Sequence, residues 1–233
     1  MSTSILFSLF ILIWSVVTID AMLQLCVCGQ CTVTFNYENR CTESIWLGAT
    51  PSIIGVDQVQ PQCLKLFSCE TGDFGGNKKF PIPVPNSPVT ILNFTINQPV
   101  QTNPHVVSYE VNLNHGYNVP VRIQPVGGSL VGGSGPCPVV DCAQDFSNVC
   151  PPNLVAKDKD GRYVGCLSAC DALKDPKHCC FGNFASPQTC QPNEYSSIFK
   201  KACGLAHTYP SDNQPPIYSC SGATSFSITF CPA

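Results

Sequence analysis

At 233 residues the chain is long enough to bury a real core, as one large domain or two small ones. A formal net charge of −3, with charged residues only 12% of the total, leaves no electrostatic footprint for nucleic acid, and no run of Lys or Arg is dense enough to make one. Seventeen cysteines are hazardous in a reducing compartment unless they hold metal, and they read as bridges made in an oxidising one.

In chain order, residues 5–19 form an almost unbroken apolar run, ended by Asp20 and the small Ala21. The run is short and one-sided for a transmembrane helix but suits a signal peptide over residues 1–21, with cleavage after Ala21 or as late as Gly29. No second hydrophobic segment follows, so a secreted, extracellular protein without a stable membrane anchor is expected. If cleavage falls after Ala21, Cys26, Cys28 and Cys31 remain and one cysteine must stay unpaired or bond a second chain. The expectation is a monomer, with a dimer open through that residue. The Cys28 to Cys31 spacing lacks the βαβ context of a redox motif.

Residues 31–37 alternate apolar and polar side chains, a strand pattern. Residues 44–47, 90–96, 105–113, 117–123 and 225–230 are similarly β-like, with turn-rich stretches at 72–76, 81–88 and 127–136. Short strands at this spacing predict a mainly β protein, a sandwich with its core in 30–136 and 217–233. Cysteines crowd between these parts, so residues 137–216 are expected to form a disulfide-rich, partly helical lobe. There Asn193 caps a predicted helix over 194–202, with Tyr195, Ile198, Phe199 and Ala202 on one face. A second helix over 167–173 stops before Pro176.

Metal and cofactor chemistry find little support. His178 beside Cys179 and Cys180 resembles a zinc cluster only if those thiols are free. Asp158, Asp160 and Gly161 lack the remaining ligands of a calcium loop. Gly127 to Ser129 and Gly132 to Ser134 both miss the last glycine of a nucleophile elbow. His105 and His207 have no evident Ser or Asp partner. No metal and no cofactor is expected.

Four motifs carry a resemblance. They are Cys69 to Asp73 (CETGD) followed by Gly75 and Gly76, Gly116 to Pro120 (GYNVP), Gln191 to Lys200 (QPNEYSSIFK) with Cys203, and Phe230-Cys231-Pro232. With the cysteine order they resemble the thaumatin-like family from about Cys31 to the end. The resemblance implies a flattened β-sandwich with a disulfide-rich lobe. It also implies the pairs Cys41–Cys231, Cys63–Cys69, Cys137–Cys220, Cys142–Cys203, Cys150–Cys166, Cys170–Cys179 and Cys180–Cys190. Two family cysteines are Phe74 and Phe80 here, so one bridge is lost. The segment from Cys41 to Cys63 is about half the usual length, so strands on one side are expected to be shortened or missing.

Plant members of the family resemble one another in an acidic cleft of one Arg and four carboxylates, credited with antifungal and β-1,3-glucan interactions. The matching positions here are Asn93 in place of Glu, Glu110 in place of Asp, His115 in place of Asp, and Asp212; the Arg has no counterpart. Glycoside hydrolysis needs one protonated and one ionised carboxyl group, so Glu110 and Asp212 are the weak catalytic candidates. The leading expectation is a non-catalytic defence protein binding a microbial surface glycan such as β-1,3-glucan. A weak endo-β-1,3-glucanase, or an extracellular structural or inhibitor protein with a vestigial cleft, are the alternatives. Asn93, Phe94 and Thr95 also form an N-glycosylation sequon, and a glycan on Asn93 would obstruct the cleft.

Overall fold

The structure, a computed structural model, describes residues 23–27, 30–42, 46–52, 62–69, 87–97 and 106–233. The signal segment, Phe74, Phe80, His105 and most of the CETGD motif lie outside them. Most strands belong to one hydrogen-bonded network. It runs β1 (Leu23–Val27), β2 (Gln30–Asn39), β12 (Tyr218–Phe230), β6 (Val106–Asn112), β5 (Ile91–Asn97), β4 (Gln62–Cys69) and β3 (Trp46–Ser52). The segment expected to be shortened retains β3, seven residues long, and ends in the first residues of β4.

The path folds over on itself. Phe35 of β2 and Phe94 of β5 are not on neighbouring strands, yet their ring centroids are 4.8 Å apart. Phe226 of β12 stacks on Phe35 at 5.7 Å and meets Phe94 edge-on at 5.5 Å. Tyr109 of β6 meets Phe226 at 5.2 Å, and all four rings are fully buried. This is a sandwich with an aromatic centre, each ring pair adding about 1 kcal/mol beyond its buried area.

β12 makes the fold-over possible. Along one edge it pairs β7 (Val121–Leu130) from Cys220–Leu130 to Phe230–Val121. Along the other it pairs β6 antiparallel at Tyr218–Ser221, then β2 in parallel at Ser225–Phe230. The handover coincides with a bulge between Ala223 and Ser225. Strands change layers at such bulges. β7 therefore runs four residues into the stretch expected as turn, to Leu130. It starts at Val121 and not at residue 117, where Tyr117 makes an isolated bridge to Cys166.

The lobe is built as the spacing suggests, with two additions. Its β8 (Val140–Cys142) pairs β7 and its β11 (Ala206–His207) pairs β6 in parallel, so the lobe is stitched into the sheet. β9 (Val155–Lys157) and β10 (Tyr163–Cys166) form a hairpin. Helix α1 (Ala169–Leu173) starts at its Ser168 cap, two residues later than expected, and α2 (Pro176–Cys179) follows an Asp175 cap. Helix α3 (Glu194–Ala202) is capped by Asn193, whose side chain accepts from the Tyr195 and Ser196 amides. Phe199 is its deepest apolar residue.

Six disulfides join described cysteines: Cys41–Cys231, Cys137–Cys220, Cys142–Cys203, Cys150–Cys166, Cys170–Cys179 and Cys180–Cys190. Cys41–Cys231 spans 190 residues, and in the chain-entropy model such a loop stabilises by about 5 kcal/mol. The two residues of the remaining expected pair, Cys63 and Cys69, lie on β4, in register with Ser52 and Trp46 of β3.

Gly128 sits opposite the β12 handover with φ +78°, and a Cβ there would lie 2.7 Å from Ala223 N and 2.8 Å from both Ser221 O and Cys220 Sγ. Gly128→Ala is expected to destabilise by about 2–3 kcal/mol, read as a fall in Tm of several degrees with disulfides intact. An unchanged Tm would show that the bulge relaxes freely.

Candidate functional site

The four cleft positions fall into three clusters. Asn93 on β5 and Glu110 on β6 are cross-strand partners, which puts both side chains on one face. Asn93 Nδ2 donates to Glu110 Oε1 at 2.6 Å, and Asn112 Nδ2 donates to the same oxygen at 3.2 Å. Glu110 Oε2 lies 3.1 Å from His207 Nδ1, an ion-pair contact without hydrogen-bond alignment. His207 Nε2 is 2.9 Å from the Pro215 carbonyl oxygen, so that nitrogen carries a proton. Glu110 and His207 are both buried. His207, which has no evident partner in sequence, is thus a central residue, and its pairing depends on β11 docking beside β6.

Asp212 occupies the second cluster, 8% exposed. Its Oδ2 accepts from the Thr208 amide at 2.8 Å and from Thr208 Oγ1 at 3.1 Å, and its Oδ1 accepts from the Gln214 amide. Lys200 Nζ stands 2.6 Å from Oδ2. Burial works to raise the Asp212 carboxyl, but the Lys200 hydrogen bond, the two backbone amides and the Lys200 charge outweigh it and hold it below the usual carboxylate range.

His115 is apart from both. It is half exposed, and its Nδ1 lies 3.2 Å from Asp171 Oδ2 of helix α1, which also accepts from Ser87 Oγ at 2.5 Å. Burial opposes ionisation of Asp171, yet Ser87, His115 and Lys174 together keep its carboxyl below the ordinary value. Ser, Asp and His are all present, but the serine donates to the aspartate and not to the histidine. The order of a hydrolytic triad is therefore absent at this cluster. The GYNVP motif lies next to it. Gly116 has φ +91° and a Cβ there would come within 2.3 Å of Cys166 O, so glycine lets the sandwich close on the lobe. Tyr117 then exchanges two backbone hydrogen bonds with Cys166.

Between sandwich and lobe lies a small cleft whose walls include Leu113 and Asn114 from the sandwich, Tyr195 and Phe199 from α3, and Thr208 to Pro210. His178 lines it too, edge-on to Tyr195 at 5.5 Å. Cys179 and Cys180 are both in disulfides, which removes them as metal ligands. Asp158 and Asp160 are both bound by Arg162, at 2.8 Å and 3.4 Å, so that turn carries its own cation. Among the described residues no cluster suits a metal ion, and no helix is long and apolar enough to cross a membrane.

Residues 57–232 match the model of the thaumatin family. The chain belongs to the thaumatin family. It is 37% identical to a thaumatin-like protein 1 of Pyrus pyrifolia over 71% of the chain and 65% of that relative. It is 38% identical to a thaumatin-like protein of Arabidopsis thaliana over 70% of the chain and 63% of the relative. A pathogenesis-related thaumatin-like protein 3.5 of Cryptomeria japonica is 37% identical over 71% of the chain and 63% of the relative. The matched stretch is thus a little under two thirds of these relatives' length.

Two substitutions test the charge arrangement. Asn93→Asp sets a second carboxylate about 2.6 Å from Glu110 Oε1, where like charges cannot both ionise. The dyad's pKa rises in the folded state, so the loss of stability, about 2 kcal/mol or more, is complete above that raised value and vanishes below roughly pH 4. Denaturant titrations at neutral and acid pH check this; a pH-independent effect refutes the dyad. For Asp212 the sign is opposite. Its lowered pKa contributes stability above about pH 4 that is lost as pH falls, so Asp212→Asn should flatten the acid limb of the stability profile.

Proposed function

We propose that this thaumatin-family protein is a secreted, defence-type protein that binds a neutral microbial surface glycan, β-1,3-glucan being the first candidate, and does not hydrolyse it. The observation that carries the reading is that both surviving carboxylates are already committed. Asp212 is ionised against Lys200 and two amides, so it is a poor proton donor. Glu110 is engaged by two carboxamides and His207. A glycosidase needs one carboxyl to give a proton and another to attack or activate water, and neither group is free for it. What remains between sandwich and lobe is a polar, aromatic-edged wall of Asn114, Tyr195 and Tyr209, the chemistry of sugar contact without turnover. Six disulfides are consistent with the oxidising compartment that secretion implies. The pathogenesis-related name of the Cryptomeria relative supports the defence role.

Asn93 belongs in this account. Its Nδ2, the atom a glycan would take, is given to Glu110 in the folded protein. A glycan there would replace one of the two Nδ2 hydrogens and crowd the Glu110 contact.

The deciding experiment incubates purified, oxidised protein with insoluble β-1,3-glucan and assays reducing sugar in the supernatant. Retention on the polymer without sugar release is expected. Sugar release that disappears in Glu110→Gln restores the glucanase. No retention by protein shown by intact mass to lack a glycan on Asn93 overturns the reading.

A further inference from the structure

Lys200 makes an unusually complete set of contacts for a lysine at a helix end. An ammonium has three N–H donors. Here Nζ reaches Asp212 Oδ2 at 2.6 Å and the Ala206 carbonyl at 2.5 Å, and it also donates to the Gln214 carbonyl. One carboxylate and two carbonyls thus form an oxygen cage matched to one ammonium group. Its neighbour Lys201 is exposed.

All three cage oxygens come from residues 206–215, the connection between α3 and β12. The same stretch is closed on itself from within. Asp212 accepts from the Thr208 and Gln214 amides, and the Asp212 amide donates to the Tyr209 carbonyl. It is also tied to the sandwich. His207 Nε2 donates to the Pro215 carbonyl, its Nδ1 lies 3.1 Å from Glu110 Oε2, and the His207 carbonyl accepts from the Leu113 amide at 2.8 Å. Thr208, Tyr209 and Pro210 then line the cleft.

We infer that Lys200 is the lock of a preformed cleft wall: by filling the cage it fixes residues 206–215, and so sets glycan affinity as a positioning residue without touching the ligand. The positioning claim rests on the binding reading above; the lock itself does not. Without the ammonium, the buried Asp212 carboxylate keeps its hydrogen bonds from Thr208 and Gln214 but loses its counter-charge and faces two carbonyls, which opens the segment. The bonds to His207 and the disulfide Cys142–Cys203 hold the ends of the segment, so the opening is local.

The test uses Lys200→Met, which keeps the stem of the side chain and removes the charge, with Lys201→Met as control. Amide exchange at Thr208 and Gln214 should speed up about tenfold or more in Lys200→Met while β6 and α3 stay protected, and retention on β-1,3-glucan should weaken about tenfold. Added methylammonium, which fits the cage, should restore both; tetramethylammonium, which has no N–H, should not. Wild-type exchange in Lys200→Met overturns the lock. Faster exchange with unchanged retention overturns the positioning role. If the wild-type protein does not bind glucan, the positioning role falls with the binding reading, and exchange alone decides the lock. Should Lys200→Met fail to fold, reductive methylation of the wild-type protein decides it: Lys201 should be modified and Lys200 spared, and equal modification overturns the cage.

Discussion

The structure depends on one strand serving two layers. β12 gives one edge to β7 over nearly its whole length and divides the other between β6 and β2. Everything that makes the molecule a sandwich follows from that division. Phe226 sits on the part of β12 that lies between both faces, so it touches Phe35 from one and Phe94 and Tyr109 from the other. The lobe inherits the same frame. Cys220 of β12 is bonded to Cys137, and Cys231 just beyond it is bonded to Cys41. A chain whose last strand is central cannot complete its core until its C-terminal residues arrive, and long-range contacts of that kind make folding slow. Disulfides that span much of the chain suit such a topology, because they shrink the unfolded ensemble that the late strand must overcome.

The second constraint is electrostatic. Buried carboxylates are tolerated where donors surround them and are costly where they are alone. Glu110 and Asp212 are each surrounded, but in different ways. Glu110 is met mainly by side chains from β5, β6 and β11, so its environment depends on the register of three strands. Asp212 is met mainly by backbone amides of its own loop and by one lysine, so its environment is local.

Much of this was legible in the sequence and some was not. The alternation over residues 31–37 gave β2, and the Asn193 cap with its apolar face gave α3, because both signals are local. The family cysteine pattern gave the six described bridges, since cysteine order is preserved even where loop lengths change. The glycine run at 127–128 read as a turn because propensity cannot see that β12 demands a close approach there. Asn93 and Glu110 were each identified as cleft positions, but neither their contact with one another nor the place of His207 beside Glu110 was. Its role comes from two residues of parallel pairing between β11 and β6, a contact nearly one hundred positions apart in sequence.

The same reasoning separates the shape of the cleft from its chemistry. Its shape is secured by backbone: Gly116 against Cys166, the Leu113 amide on His207, the loop closed around Asp212. Its chemistry rests on few side chains, and here each carboxylate among them has an internal partner: Glu110 with Asn93 and Asn112, Asp212 with Lys200, Asp171 with Ser87 and Lys174. A wall whose charges are paired internally exerts little field on a charged partner beyond a Debye length of about 8–10 Å. It can still offer hydroxyl, amide and aromatic surface at contact distance. Backbone thus sets the shape of the cleft, while the few charged groups around it are held by partners inside the protein.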